Sequence, residues 1–173
     1  MGEGLHTLRM LLVPANEGLL KAAMESDEAL GAALGVNIVQ SWTEFGRDPF
    51  VYALTMIEKD NRSAGWVNYF PVLRRDQTLV GNGGFKGKPD AEGWVEIGYE
   101  IAPVYRNQGL ATEFAMALID FALASPEVNG ICAHTLAEEN ASCAVLRKCG
   151  FKKTAELVDP DDGPVWRWEW VNT

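Results

Sequence analysis

Ile97-Gly98-Tyr99-Glu100-Ile101-Ala102-Pro103-Val104-Tyr105-Arg106-Asn107-Gln108-Gly109-Leu110-Ala111-Thr112 is the stretch on which the fold turns. Its opening residues have strand texture. From Gly109 to Ala124, Leu110, Phe114, Ala117, Leu118 and Phe121 recur at helical spacing. Met116, Ile119 and Leu123 widen that stripe, so the helix is expected to be buried on most sides. A strand passing through a turn into such a helix leaves the first helical N–H groups without intrahelical partners. Together with the helix dipole, they form a seat for a phosphate or pyrophosphate. Arg106 adds a guanidinium able to fork onto phosphate oxygens, and Gly109 and Ala111 keep the approach open. The turn carries neither G-x-x-x-x-G-K-[ST] nor G-x-G-x-x-G, which sets aside those two nucleotide loops.

Upstream, Leu8 to Val13 reads as a strand, and Glu17 to Leu34 as two short helices interrupted near Gly31 and Gly35. Phe50 to Asp60, following Asp48-Pro49, reads as a third helix. Trp66 to Leu73, Thr78 to Phe85 and Trp94 to Ile101 are β-branched and aromatic, as expected of three antiparallel strands. Downstream, Ser125-Pro126 ends the buried helix and Gly130 to Leu136 supplies a strand. Ala141, Val145, Leu146 and Cys149 mark a short helix stopped by Gly150. Phe151 to Val158 and Val165 to Val171 flank the turn from Asp159 to Pro164, with Trp166, Trp168 and Trp170 on one face as core packing. With no internal repeat and no linker, residues 1–173 are expected to form one α/β (α+β) domain.

A net charge of -9 repels a polyanion over most of the surface, which excludes nucleic acid as an expected partner. Apolar runs such as Leu11-Leu12-Val13 are too short to span a bilayer, and the N-terminus is unlike a signal peptide. A cytoplasmic protein without a membrane partner is therefore expected. Cys132, Cys143 and Cys149 lack C-x-x-C spacing and only two histidines accompany them, so reduced, buried thiols and no metal are expected.

Arg106-Asn107-Gln108-Gly109-Leu110-Ala111 resembles the R/Q-x-x-G-x-G/A signature of the GNAT acetyltransferase superfamily, and the flanking Tyr99 to Pro103 and Ala111-Thr112-Glu113 fit as well. A second segment, Glu138 to Phe151, is similar to the family's Asn-x-x-Ser…Lys-x-Gly-Phe element. The resemblance covers Leu8 to Val171 and is nearest the RimJ/RimL-like branch, which includes ribosomal-protein N-terminal acetyltransferases. It implies a splayed, mostly antiparallel mixed sheet of about seven strands flanked by helices. It also implies acetyl-CoA as co-substrate, an amine as acceptor and no metal. The pyrophosphate would lie on Arg106, Asn107, Gln108, Gly109, Leu110, Ala111 and Thr112, and the pantetheine arm against the main chain at Ile101. Asn140, Ser142 and Arg147 would face the cofactor, with Ser142 hydrogen-bonded to the departing thiolate. Asn140 stands two residues before Ser142 where the branch has three, and Arg147 holds a position at which many members carry a tyrosine acid.

Glu96 resembles the family's strand glutamate that serves as general base. By alternation Glu96, Gly98 and Glu100 share one strand face, so Glu100 is an alternative, and His134 on the neighbouring strand is a reserve. Arg147, Lys148, Lys152 and Lys153 read equally as a solvated basic cluster or as a 3′-phosphate site. The acceptor is either a peptide N-terminus or a small amine, and the acidic balance favours a cationic one. Monomer and homodimer stay open. The competing reading is a non-catalytic acyl-CoA-binding or sensing module, which keeps the Arg106 loop but needs neither Glu96 nor Ser142.

Overall fold

Alternating and β-branched segments assemble into one ten-stranded sheet in the computed structural model, which describes residues 3–170. Its strands are β1 (Leu5–His6), β2 (Met10–Pro14), β3 (Asn37–Ile38), β4 (Asn68–Leu73), β5 (Thr78–Leu79), β6 (Gly81–Phe85), β7 (Trp94–Ile101), β8 (Gly130–Leu136), β9 (Phe151–Asp159) and β10 (Gly163–Trp170). The main path runs β1-β2-β4-β6-β7-β8-β10-β9, with β3 and β5 joined beside β4. Neighbours on that path are antiparallel except β7 and β8. The class agrees with the sequence reading, while ten strands replace the expected seven. The surplus is β1, β3 and β5, each two residues long and too short to show a period. Thr78 to Phe85 is likewise two strands broken at Val80, and the expected strand end at Val171 lies outside the described residues.

The N-terminal helices are α1 (Glu17–Glu25), α2 (Asp27–Leu34) and α3 (Asp48–Lys59). The break between α1 and α2 falls at Ser26, not near Gly31. Its hydroxyl accepts the Ala29 N–H at 3.0 Å, so one residue ends a helix and caps the next. α4 (Leu110–Leu123) buries Leu110, Phe114, Leu118 and Ile119, whereas Met116 and Leu123 are exposed, so the buried stripe is narrower than the apolar pattern suggested. α5 (Ala141–Lys148) packs beside α4.

Alternate residues of β4 divide between two cores. Tyr69 and Leu73 join the cluster under α4 and α5, while Phe70 and Val72 join that under α1 to α3. Trp168 is buried in the first, with Trp166 and Trp170 packed against it, so the tryptophan strand is core as expected. No helix among the described residues is long and apolar enough to cross a membrane.

The feature that positions the site is a fork. β7 pairs with β8 only from Trp94↔Gly130 to Glu96↔Cys132. Beyond Glu96, β7 continues to Ile101 against β6, and β8 continues to Leu136 against β10, so their facing edges part.

Candidate active site

The apex of the fork brings together side chains from β7, β8 and the residue that follows β6. The Glu96 carboxylate receives His134 Nδ1 at 2.6 Å on one oxygen and pairs with Lys86 Nζ through the other. Two residues on, a methyl group placed on Gly98 would meet no atom within 4 Å, so the sheet opens onto empty space beside Glu96. Glu100 borders the same face. One of its oxygens accepts the Glu44 N–H at 2.7 Å and the other is buried without a partner, and this burial pushes the carboxyl up to about 7.

That raised value has a consequence for stability. At pH below the ordinary carboxylate range both folded and unfolded chains are protonated here, and the penalty on the folded state grows as pH rises toward 7. Glu100→Gln is therefore expected to stabilise the protein at pH 8 by about 1 kcal/mol after solvent screening, roughly 2–4 °C in Tm. Thermal unfolding at pH 4 and pH 8 checks this, with no gain expected at pH 4.

At the mouth of the fork the phosphate-type turn takes the expected form. Asn107 (φ 63) and Gly109 (φ 81) turn the backbone left-handed, and Gly109 caps α4 without any side-chain hydrogen bond. Glu113 N–H is the first to find a helical acceptor, at Gly109, and the amides from Gln108 to Thr112 take no backbone partner among the described residues. Leu110 is buried beneath this nest of donors, and Ala111 and Thr112 complete the first turn. Arg106 folds back, donating from Nε to the Ile101 carbonyl at 2.9 Å and pairing with Glu44 at 3.2 Å. The Ile101 carbonyl thus accepts one hydrogen bond from the same arginine that borders the turn.

Arg9 is a second cation at this turn that the sequence reading missed. It donates to the Gln108 carbonyl at 2.8 Å and lies 3.4 Å from where a Gly109 Cβ would be. Glu113 holds it through Nε at 2.8 Å and through its own N–H at 2.7 Å. No spacing rule links residues 104 apart in the chain.

On the helix side, Asn140 is the N-cap of α5 and accepts the Cys143 N–H at 3.1 Å. Ser142 stands one residue inside the helix, its hydroxyl 3.3 Å from the Tyr99 hydroxyl. Tyr99 is a further missed residue, its phenol held above the usual tyrosine range by burial. Arg147 is turned to Glu139, with two hydrogen bonds of 2.7 and 2.6 Å, and lies over the Trp168 ring. Lys153 covers Trp166 and pairs with Glu156 at 2.6 Å. The structure thus gathers Glu96, Gly98, Glu100 and His134 at one opening and Ser142 with Tyr99 at the other face, while Arg147 is engaged elsewhere.

Residues 9–152 match the family model for the acetyltransferase (GNAT) domain. The chain is 30% identical over 149 residues to the uncharacterized N-acetyltransferase YjdG of Bacillus subtilis, covering 85% of this chain and 88% of that protein. Its fold matches the RimL ribosomal L7/L12 alpha-N-protein acetyltransferase in complex with coenzyme A, with a TM-score of 0.70, 16% identity and 98% of each chain covered. It also matches the dodecameric spermidine N-acetyltransferase of Vibrio cholerae, with a TM-score of 0.64, 17% identity and coverage of 93% of this chain and 92% of that one. A family match over this span, on a chain whose sheet forks beside an amide-lined turn, shows that the protein is an acetyltransferase belonging to the GNAT family.

Proposed function

We propose that this acetyltransferase moves an acetyl group from acetyl-CoA to a primary amine by direct attack at the fork apex. The observation that carries the reading is the empty space at Gly98, set where β7 and β8 part and flanked by Glu96 with His134 on one side and Glu100 on the other. Acetyl-CoA suits such a fork. The amides of Gln108 to Thr112 with Arg106 and Arg9 offer donors and charge to a pyrophosphate, and the unpaired edge of β7 offers main-chain groups to the pantetheine amides. Asn107 shapes the turn by its left-handed backbone, and Asn140 sets the start of α5.

A lysine-like amine, with a pKa of roughly 10.4, is mostly protonated near neutrality and must lose a proton before it attacks. Glu96 is the base in this reading, oriented by His134 and Lys86 at the apex. Backbone N–H groups of the open β7 edge polarise the carbonyl oxygen. Ser142 and Tyr99 lie on the opposite, helix-facing side, where their paired hydroxyls can give a proton to the departing thiolate. Base and acid thus act from opposite faces, which suits one-step attack without a covalent enzyme intermediate. Cys143 and Cys149 are buried in the core, and burial raises the Cys132 and Cys149 thiols to about 11, which disfavours an acyl carrier.

Glu44, Glu96 and Glu100 around one opening favour a cationic amine, and Glu44 borders it by its contacts with Glu100 and Arg106. RimL, which resembles this chain in fold, acts on a protein α-amino group, and the spermidine enzyme on a polyamine. Both acceptor classes suit the charge, and the RimJ/RimL-like motifs favour the former.

The test is thiol release from acetyl-CoA with peptides, polyamines and aminoglycosides as acceptors, on the wild type and on Gly98→Val. Amine-dependent release is expected, with Gly98→Val folded and still binding CoA but slower by about 100-fold, because displacement of the reactants by about 1 Å has that effect. Unchanged turnover in Gly98→Val would move the reaction away from the apex. Absence of release with every amine, despite CoA binding, would overturn the reading.

A further inference from the structure

The geometry points to a transition-metal site at the fork apex, in which Glu96, Cys132 and His134 bind a zinc-like divalent cation. Cys132 and His134 are two residues apart on β8 and so share a face, and Glu96 is the register partner of Cys132 across the parallel β7–β8 pair. One donor atom from each, the Cys132 Sγ, a His134 ring nitrogen and a Glu96 oxygen, all lie within 4.8 Å of one another. Metal–donor bonds of about 2.0–2.3 Å at tetrahedral angles put donors roughly 3.3–3.8 Å apart, so small side-chain rotations complete the set. Thiolate, imidazole and carboxylate together select zinc or cobalt over calcium or magnesium. Three protein donors leave a fourth position open to water or another ligand. No ligand spacing announces the set, because it is a Cys-x-His pair completed by a residue of another strand.

Binding is balanced without any redox partner. The Cys132 S–H bond breaks, its proton goes to solvent and a sulfur–metal bond forms. His134 gives up its Nδ1 hydrogen bond to Glu96 and carries its proton on Nε2, while Glu96 exchanges that bond for the metal. Lys86 remains beside the second Glu96 oxygen, and the two anionic donors neutralise the dication. A metal held there occupies the residue proposed as base, so the cation inhibits acetyl transfer. That consequence alone rests on the role given to Glu96 above, and metal binding does not.

The experiment is titration of the metal-free chain with Co²⁺, followed by visible and near-ultraviolet absorption. The expected result is one equivalent bound, with the d–d intensity of a tetrahedral ion and a thiolate-to-cobalt charge-transfer band. Cys132→Ser should abolish that band and weaken binding by more than about 100-fold, beyond the 10–100-fold effects typical of outer-sphere partners. His134→Ala should reduce the d–d intensity. Circular dichroism and the unfolding midpoint show that each variant is folded. A spectrum without the thiolate band, or a band that persists in Cys132→Ser, overturns the site, since Cys143 and Cys149 lie in the core under α4 and α5, to which Cys132 does not belong. In turnover assays, Zn²⁺ should inhibit the wild type, reversibly with chelator, and leave Cys132→Ser active. Cobalt binding with the thiolate band but without zinc inhibition would keep the site and overturn the role of Glu96.

Discussion

Glu96→Gln is expected to lower kcat/KM for the acceptor amine by about 10²–10³-fold, within the usual range for loss of a positioned general base, with the affinity for acetyl-CoA unchanged. The amide keeps the size of the side chain and can still accept from Lys86 or His134, so the change removes proton affinity while sparing the frame. Transfer rates across acceptors of decreasing pKa, paired with equilibrium binding of CoA, check this. The loss should shrink as the amine becomes less basic, because less of it needs deprotonation. Glu100 supplies the opposite case. Its carboxyl is raised to about 7, so a catalytic role would make kcat/KM fall below that pH. A limb near pH 7 that vanishes in Glu100→Gln, together with full activity in Glu96→Gln, would transfer the role of base to Glu100.

Gly84→Ala is expected to destabilise the protein by about 3–5 kcal/mol, a large part of the total for a domain, and to lower Tm by at least about 6 °C. Gly84 sits at φ 135, and an added Cβ would come within 2.1 Å of the Val67 carbonyl oxygen and 3.0 Å of the Asn68 Cα. That same carbonyl accepts the Phe85 N–H at 3.1 Å, so relief of the overlap breaks a sheet hydrogen bond. Since β6 lies between β4 and β7, the displacement reaches Gly98, the register partner of Gly84. Thermal and denaturant unfolding of the variant measure the loss. A midpoint within about 2 °C of wild type would show that β4 and β6 can separate locally at little cost.

The order of elements was legible because helix and strand periods are local, and α4 and β7 announce themselves within single windows of sequence. The turn from Arg106 to Thr112 was legible for the same reason, since its backbone donors and its cation are neighbours along the chain. Period failed where elements were too short or glycine-rich. The two-residue β1, β3 and β5 show no alternation, and Gly81-Asn82-Gly83-Gly84 has poor strand propensity yet forms β6, because a Cβ at Gly81, Gly83 or Gly84 would collide with the β7 backbone, Phe114 or the Val67 carbonyl. Exposure of Met116 and Leu123 depended on which side of α4 the sheet occupies.

From the residues alone, the chain could be read as an α/β protein with an anion-binding strand–turn–helix and with Glu96 and Glu100 on one strand face. What each carboxylate touches was decided by tertiary structure. Glu96 meets Lys86 and His134, Glu100 is closed over by Glu44, and Arg9 is delivered to the turn by Glu113. The physical reason is that periodicity states which face a side chain occupies, whereas strand order and register state which distant residue stands beside it. Those follow from the packing of two cores against one sheet, which no single segment contains.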